Sequence, residues 1–336
     1  MKKMSNLNTL HKKAWQEIQQ AQNILIVGHV NPDSDAISSV GALIELMKRI
    51  NKKYLAYCQD KPLDSYNFLP HEEEILVNKD FVLEDFDLII AVDCGSKSRT
   101  FLDKEIDELR KRKDKKVSII EFDHHPKFDD YSDIEIRNPE ASSTTEVLYY
   151  FFKINEIDFN KNIATSILSG ILTDTANFLY SSTGEDTVAI SSEMLSHGAQ
   201  FPKIVNRIWN NRSIQSIRLW SLALNNLQIN HKYKIAFTVL TQEEINEVLK
   251  SDEFFDSDIF GEIAGFLSNM ADVKAVMLLR QQEAGLIKGS FRASAYSGDV
   301  DLSKLAQILG GGGHAKAAGF IIEGNIEKNN SSWVIR

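Results

Sequence analysis

Five short groups of His, Asp and Gly carry the chemistry of this 336-residue chain. They are Gly28-His29-Val30-Asn31-Pro32-Asp33-Ser34-Asp35-Ala36, Asp93-Cys94-Gly95-Ser96, Asp123-His124-His125, Thr173-Asp174-Thr175 and Gly310-Gly311-Gly312-Gly313-His314. The first four supply enough carboxylate and imidazole groups to hold two divalent cations side by side. Imidazole mixed with carboxylate, with no thiolate, suits Mn2+ or another borderline metal (Fe2+, Co2+, Zn2+) better than an all-oxygen Mg2+ site. The fifth group reads as an anion grip, its glycines freeing backbone amides and His314 and Lys316 adding charge. Together they point to metal-assisted attack on phosphorus.

Each group also has a plainer reading. Pro32 forces a turn and Asp35 suits the cap of a following helix. Adjacent histidines suit a polar strand end, and residues 310–313 suit a flexible turn between a helix and a strand. Convergence separates the two readings, because several carboxylates gathered at one rim repel one another unless cations lie between them. Asp174 adds a local reason: it closes a helical pattern, where the helix dipole disfavours negative charge.

The elements needed to gather these groups are legible. Residues 24–27 form an apolar run, as in a strand buried on both faces, and residues 36–50 carry apolar side chains at helical spacing. Residues 54–58, 88–92, 117–122 and 134–136 read as further strands, with helices over 103–112 and 144–152 between or after them. This alternation predicts an α/β chain whose N-terminal parallel sheet has helices on both faces. His29, Asp93 and Asp123 each follow such a strand, so they fall on the carboxyl rim where open α/β sheets bind ligands. Ile163, Ile167 and Ile171 mark the helix that ends at Asp174. Residues 201–227 read as a connecting helix. A smaller mixed unit follows, with strands over 234–240, 273–279, 286–294 and 320–322 and helices over 241–249, 259–270 and 302–309. The expected division is 1–200, a helical linker 201–228, and 229–336.

Whole-chain properties narrow the chemistry further. The net charge of −9 disfavours a sequence-independent binder of long nucleic acid but not a short anionic substrate. Cys58 and Cys94 are the only cysteines and have no metal-type spacing, which fits a reduced cytoplasmic protein. No stretch approaches the roughly 20 apolar residues of a membrane span. The charged run over 110–116 reads as a solvated face, and Trp209 and Trp220 as packing residues. Residues 142–146 read as a helix start.

His29-x-x-x-Asp33-x-Asp35, Asp93, Asp123-His124-His125 and Thr173-Asp174-Thr175 resemble, in order, the motifs of the DHH phosphoesterase superfamily. Ser290-Phe291-Arg292 and residues 310–319 resemble its DHHA1 substrate domain, and the compact two-domain form is similar to the bacterial nanoRNases that also act as phosphoadenosine-phosphate phosphatases. The resemblance implies two metals, one held by His29, Asp33 and Asp93 and the other by Asp35, Asp93, His124 and Asp174, with Asp93 shared. It casts Asp123 as the carboxylate that orients a histidine and His125 as the group facing the scissile phosphate. Water activated between two metals would then attack phosphorus without a covalent protein nucleophile. Arg292, Gly311, Gly312, Gly313 and His314 would grip the substrate. Ser34, Cys94 and Ala176 depart from the usual pattern without removing a ligand; they leave substrate preference open.

The leading expectation is an Mn2+-dependent phosphoesterase, with Mg2+, Co2+ or Fe2+ as substitutes. It would release mononucleotides from short RNA oligonucleotides such as pApA, and phosphate from phosphoadenosine phosphate. The alternatives are a cyclic-dinucleotide phosphodiesterase, a non-catalytic nucleotide sensor and a processive exonuclease. The sequence leaves the oligomeric state open, a homodimer included.

Overall fold

The computed structural model describes residues 2–111, 117–180, 182–208, 213–249, 259–282, 285–294, 297–298, 300–329 and 332–336. The chain divides into two compact units, Met1–Asn211 and Arg212–Arg336. The first contains α1 (Lys2–Gln20), β1 (Asn23–Val27), α2 (Ser34–Arg49), β2 (Lys53–Tyr57), β3 (Ile75–Leu76), β4 (Leu88–Val92) and α3 (Asp103–Lys111). It continues through β5 (Ser118–Asp123), β6 (Ile134–Arg137), α4 (Thr144–Ile154), α5 (Lys161–Asp174), α6 (Glu185–Ser196) and α7 (Phe201–Ile208).

The six strands form one sheet in the order β3-β2-β1-β4-β5-β6, and every neighbouring pair is parallel. Alternation along β1 explains why its apolar run is unbroken. Ile24 and Ile26 enter a core with residues of α1, α2, α4 and α5, whereas Leu25 and Val27 enter a second core with Ile106 and Leu109 of α3. Helices therefore cover both faces. Burying each large aliphatic side chain contributes about 1.5–3 kcal/mol, and α2 alone buries Ile37, Leu43, Ile44, Leu46 and Met47 almost completely. The strand order reverses direction between β1 and β4. Such a switch point opens a crevice outside the carboxyl ends of the strands.

The second unit contains α8 (Ile214–Asn225), β7 (Gln228–Asn230), β8 (Ile235–Leu240), α9 (Gln242–Leu249), α10 (Ile259–Leu267), β9 (Ala275–Gln282) and β10 (Leu286–Ala293). α11 (Leu302–Ile308), β11 (Gly312–Gly313), β12 (Ala317–Glu323), β13 (Ile326–Asn329) and β14 (Ser332–Ile335) complete it. Its sheet runs β11-β12-β10-β9-β8-β7, with β8 and β9 parallel and the other pairs antiparallel, so it is mixed. β13 and β14 form a separate hairpin. The segment expected as a linker divides: Ile204 of α7 joins the core of the first unit, and Leu219 and Ala223 of α8 join a core of the second. Trp209 and part of the 110–116 charged run lie outside the described residues. Among the described residues, no helix is long and apolar enough to cross a membrane.

His11 of α1 is buried against Phe151, with ring centroids 6.2 Å apart, and its Nδ1 has no hydrogen-bond partner. Burial lowers its pKa to about 4. The unfolded chain therefore takes up this proton near pH 6.5 and the folded chain only near pH 4, so stability falls as the pH drops through that window. His11→Phe is expected to remove about 2 kcal/mol of the stability lost between pH 7.5 and 5, read from denaturant unfolding at both pH values.

Candidate metal centre and active site

The carboxyl ends of β1, β4 and β5 deliver His29, Asp93 and the pair His124–His125 to one rim, and α2, α4 and α5 complete the site. Asp33 is the N-cap of α2, its carboxylate accepting from the amides of Asp35 and Ala36, both at 3.0 Å. The sequence expectation had placed Asp35 in that role. Asp35 instead sits inside the first turn, completely buried, and turns its oxygens to another helix. Its Oδ2 accepts from the amide of Thr144 at 2.6 Å and its Oδ1 from that of Thr145 at 3.1 Å, at the start of α4. Gly170 of α5 lets this happen, because a Cβ there would overlap both Asp35 Oδ1 and the Thr145 side chain.

His29 donates from Nδ1 to the carbonyl of Val30 at 2.7 Å, which turns Nε2 toward the carboxylates. That atom is buried without a hydrogen-bond partner and lies 3.6 Å from Asp33 Oδ2 and 3.5 Å from Asp93 Oδ2. Asp93 occupies the centre. Its Oδ1 accepts from the Thr144 hydroxyl at 2.7 Å and lies 3.7 Å from His124 Nε2. Its backbone is left-handed (φ 60°), a conformation an Asp tolerates at some cost and a bulky residue resists. His124 Nε2 also lies 3.3 Å from Asp174 Oδ2 at the end of α5.

Two triads result, His29–Asp33–Asp93 and Asp35–His124–Asp174, each with ligand atoms within 4.8 Å of one another. The structure thus brings all six expected metal-site residues together. Electrostatics say what the site suits. Burial, with the charges of Asp33 and Asp93 beside them, pushes the Asp35 and Asp174 carboxyls well above the usual range. Burial opposes charging His29, but the facing Asp33 and Asp93 outweigh it and raise its pKa to about 10. Burial lowers His124 and favours the neutral, ligating imidazole. Crowded carboxylates and an orphaned imidazole nitrogen fit a divalent cation.

Asp123, fully buried, holds His125 rather than His124. One oxygen accepts from the His125 amide at 2.7 Å and lies 2.9 Å from its Nδ1. Against the effect of burial, that carboxylate raises the His125 pKa.

In the second unit, Arg292 on β10 pairs in register with Ala317 on β12, while Gly312 and Gly313 of β11 pair with Gly319 and Ala318. Arg292, Gly312, Gly313 and His314 therefore gather at one end of one sheet. Not all of the amides are free as expected. Those of Gly310, Gly311 and His314 donate to the carbonyls of Gln307, Ala306 and Ala317. Close approach explains the glycines better: a Cβ at Gly311 would overlap the Gly319 carbonyl, and one at Gly313 would crowd that of Ala317.

Residues 23–171 match the DHH family, N-terminal domain, and residues 233–331 match the DHHA1 domain. The chain carries a DHH domain followed by a DHHA1 domain. The bifunctional oligoribonuclease and PAP phosphatase NrnA of Thermus thermophilus is 26% identical over 327 residues, spanning 94% of this chain and 92% of that protein. An exopolyphosphatase-related protein from Bacteroides fragilis has a crystal structure that superposes with a TM-score of 0.81 at 25% identity, over 93% of this chain and 90% of its own. The cyclic-di-AMP phosphodiesterase GdpP of Bacillus subtilis is 23% identical over 333 residues, spanning 91% of this chain but 46% of that protein. This DHH protein is a phosphoester hydrolase.

Three further residues of its site had no distinct sequence signal. Thr144 and Thr145 read as a helix start, which they are, but their contacts to Asp35 and Asp93 are tertiary. Arg137 ends β6 and is buried among carboxylates. It pairs with Glu121 at 2.5 Å and Glu135 at 2.8 Å, lies 3.4 Å from Asp123, and donates to the His125 carbonyl at 2.7 Å. The charged tail of the alternating Ile134-Glu135-Ile136-Arg137 was the available hint. Arg137→Ala leaves Glu121 and Asp123 buried without their counter-charge, and is expected to cost about 3 kcal/mol in denaturant unfolding. A loss below about 0.5 kcal/mol, the scale of an ordinary surface change, would show that the network is not structural.

Proposed function

We propose that this DHH protein hydrolyses short oligoribonucleotides such as pApA to mononucleotides, and phosphoadenosine phosphate to AMP, with two Mn2+ as cofactors. The observation that carries the reading is the position of Asp93, which belongs to the first triad and lies 3.7 Å from His124 of the second. His29, Asp33 and Asp93 would hold one cation and Asp35, Asp93, His124 and Asp174 the other. Bound divalent cations supply Lewis acidity, lowering the pKa of water and neutralising phosphate oxygens. The chain's own groups do the rest. Thr144 and the amides at the start of α4 fix the carboxylates of Asp93 and Asp35. Val30 fixes the ring of His29 so that Nε2 is its ligating atom. Asp123 and Arg137 anchor His125, which would hold or deliver a proton at the leaving oxygen. Arg292, Gly311, Gly312, Gly313 and His314 would bind the nucleotide.

The match to NrnA along nearly its whole length supports this choice of substrate. The likeness to GdpP supports a second reading, cleavage of a cyclic dinucleotide, although there the match spans less than half of the relative. A panel of pApA, oligonucleotides of two to five residues, phosphoadenosine phosphate, cyclic di-AMP and long single strands, assayed with Mn2+, separates these. Fast release of AMP from pApA with slow turnover of cyclic di-AMP is expected. Preference for the cyclic substrate would establish the second reading, and equal rates on long and short strands would point to a processive exonuclease.

A further inference from the structure

Basic side chains around β4, β5 and β6 are mostly committed to carboxylates. Lys97 pairs with Asp107, Arg110 with Asp133, Lys127 with Asp130 and Glu135, and Arg137 with Glu121 and Glu135. Arg99 differs. Among the described residues its guanidinium makes no hydrogen bond and no ion pair, although the residue is half-buried.

Its position is not peripheral. Arg99 lies in the 3-10 turn Lys97–Thr100 that follows the Asp93-Cys94-Gly95-Ser96 group. Its carbonyl accepts from the amide of Val30 at 2.9 Å, which ties the turn to the loop carrying His29 and Asp33. Its Nη1 and the His125 ring flank Gly95: a Cβ built on that glycine would lie 3.4 Å from Nη1 and 3.5 Å from His125 Cγ. Its charge is felt by both Asp33 and His125.

A half-buried guanidinium without a partner forfeits part of its hydration and gains nothing in return. Asp33, the carboxylate at this rim that its charge reaches, is assigned above to a cation, so that charge is already answered. What remains for Arg99 is an anion from outside the chain. Its planar fork matches two oxygens of a phosphate group, which a lysine does not do equally well. We propose that Arg99 binds non-bridging oxygens of the substrate's scissile phosphate, beside His125. This assignment rests on the phosphoesterase reading of the same site.

The test uses the full-length Mn2+-loaded protein, with Arg99→Ala and Arg99→Lys. Calorimetric binding of inorganic phosphate is the first readout and needs no turnover. Arg99→Ala is expected to weaken it at least about tenfold, while Mn2+ affinity and melting temperature stay at the wild-type values. In kinetics on pApA, Arg99→Ala is expected to lower kcat/KM by about 100-fold, the scale of one lost charge-stabilising donor. Arg99→Lys should recover part of that loss, and added guanidinium should restore part of it to Arg99→Ala. Phosphate affinity and kcat/KM within twofold of wild type in Arg99→Ala would overturn the proposal. So would a loss that tracks weakened Mn2+ binding and is not rescued by guanidinium, since that marks a structural role. Should the wild-type protein hydrolyse no phosphoester in the panel, the phosphoesterase reading fails, and the phosphate titration still decides whether Arg99 is an anion site.

Discussion

Asp93→Asn is expected to lower turnover by about a thousandfold or more while leaving the protein folded. The expectation follows from position. Asp93 is the carboxylate that lies near both His29 Nε2, at 3.5 Å, and His124 Nε2, at 3.7 Å, so one neutralisation weakens both triads. Asparagine is also well suited to isolate this effect. It keeps an oxygen to accept from the Thr144 hydroxyl, and it is among the few residues that adopt the left-handed backbone found at this position. Steady-state kinetics across a Mn2+ series, together with circular dichroism and thermal melting, check it. A folded variant with near-normal kcat would remove Asp93 from the shared position.

Gly170→Ala has an expected effect opposite to that of helix propensity. In the middle of a helix, alanine is ordinarily the better residue by about 1 kcal/mol. Here the added methyl would overlap Asp35 Oδ1 and the Thr145 hydroxyl and methyl, all of them buried. Overpacking of this kind costs about 1–3 kcal/mol, so a net loss of stability is predicted. Asp35 must also leave its seat on the amides of Thr144 and Thr145, so activity should fall by about 100-fold or more, a shift of only 1 Å at a catalytic group being enough. Denaturant unfolding and turnover on pApA report the two effects separately. A variant that gains stability and keeps its rate would show that α5 does not press on the metal site.

Much of this site was legible because its residues follow strands. Leu25 and Ile26 are both apolar because the sheet is covered on both faces, and an unbroken run ending in Gly-His or Asp announces a buried strand and its rim. Asp174 was legible for a different reason, as a charge at the wrong end of a helix. Other features were not readable, and each has a physical cause. Asp33 and Asp35 are both able to cap a helix, and only the position of the first turn decides between them. Thr144 holds Asp35 and Asp93 across 109 and 51 positions of sequence, and no local pattern encodes such a contact. The short strands β3, β7 and β11 have two or three residues each, too few for alternation to register. The glycines at 310–313 read as freed amides, whereas Gly311 and Gly313 serve close approach to β12. Arg99 and Arg137 look alike as sequence, and only their surroundings distinguish a buried strut from an uncommitted cation.

Crystals grown with Mn2+ and measured at the manganese absorption edge test the central claim most directly. Two anomalous peaks are predicted, one bounded by His29, Asp33 and Asp93 and the other by Asp35, Asp93, His124 and Asp174. An absence of manganese from that crevice at saturating concentration, with the same side chains paired only to one another, would contradict it.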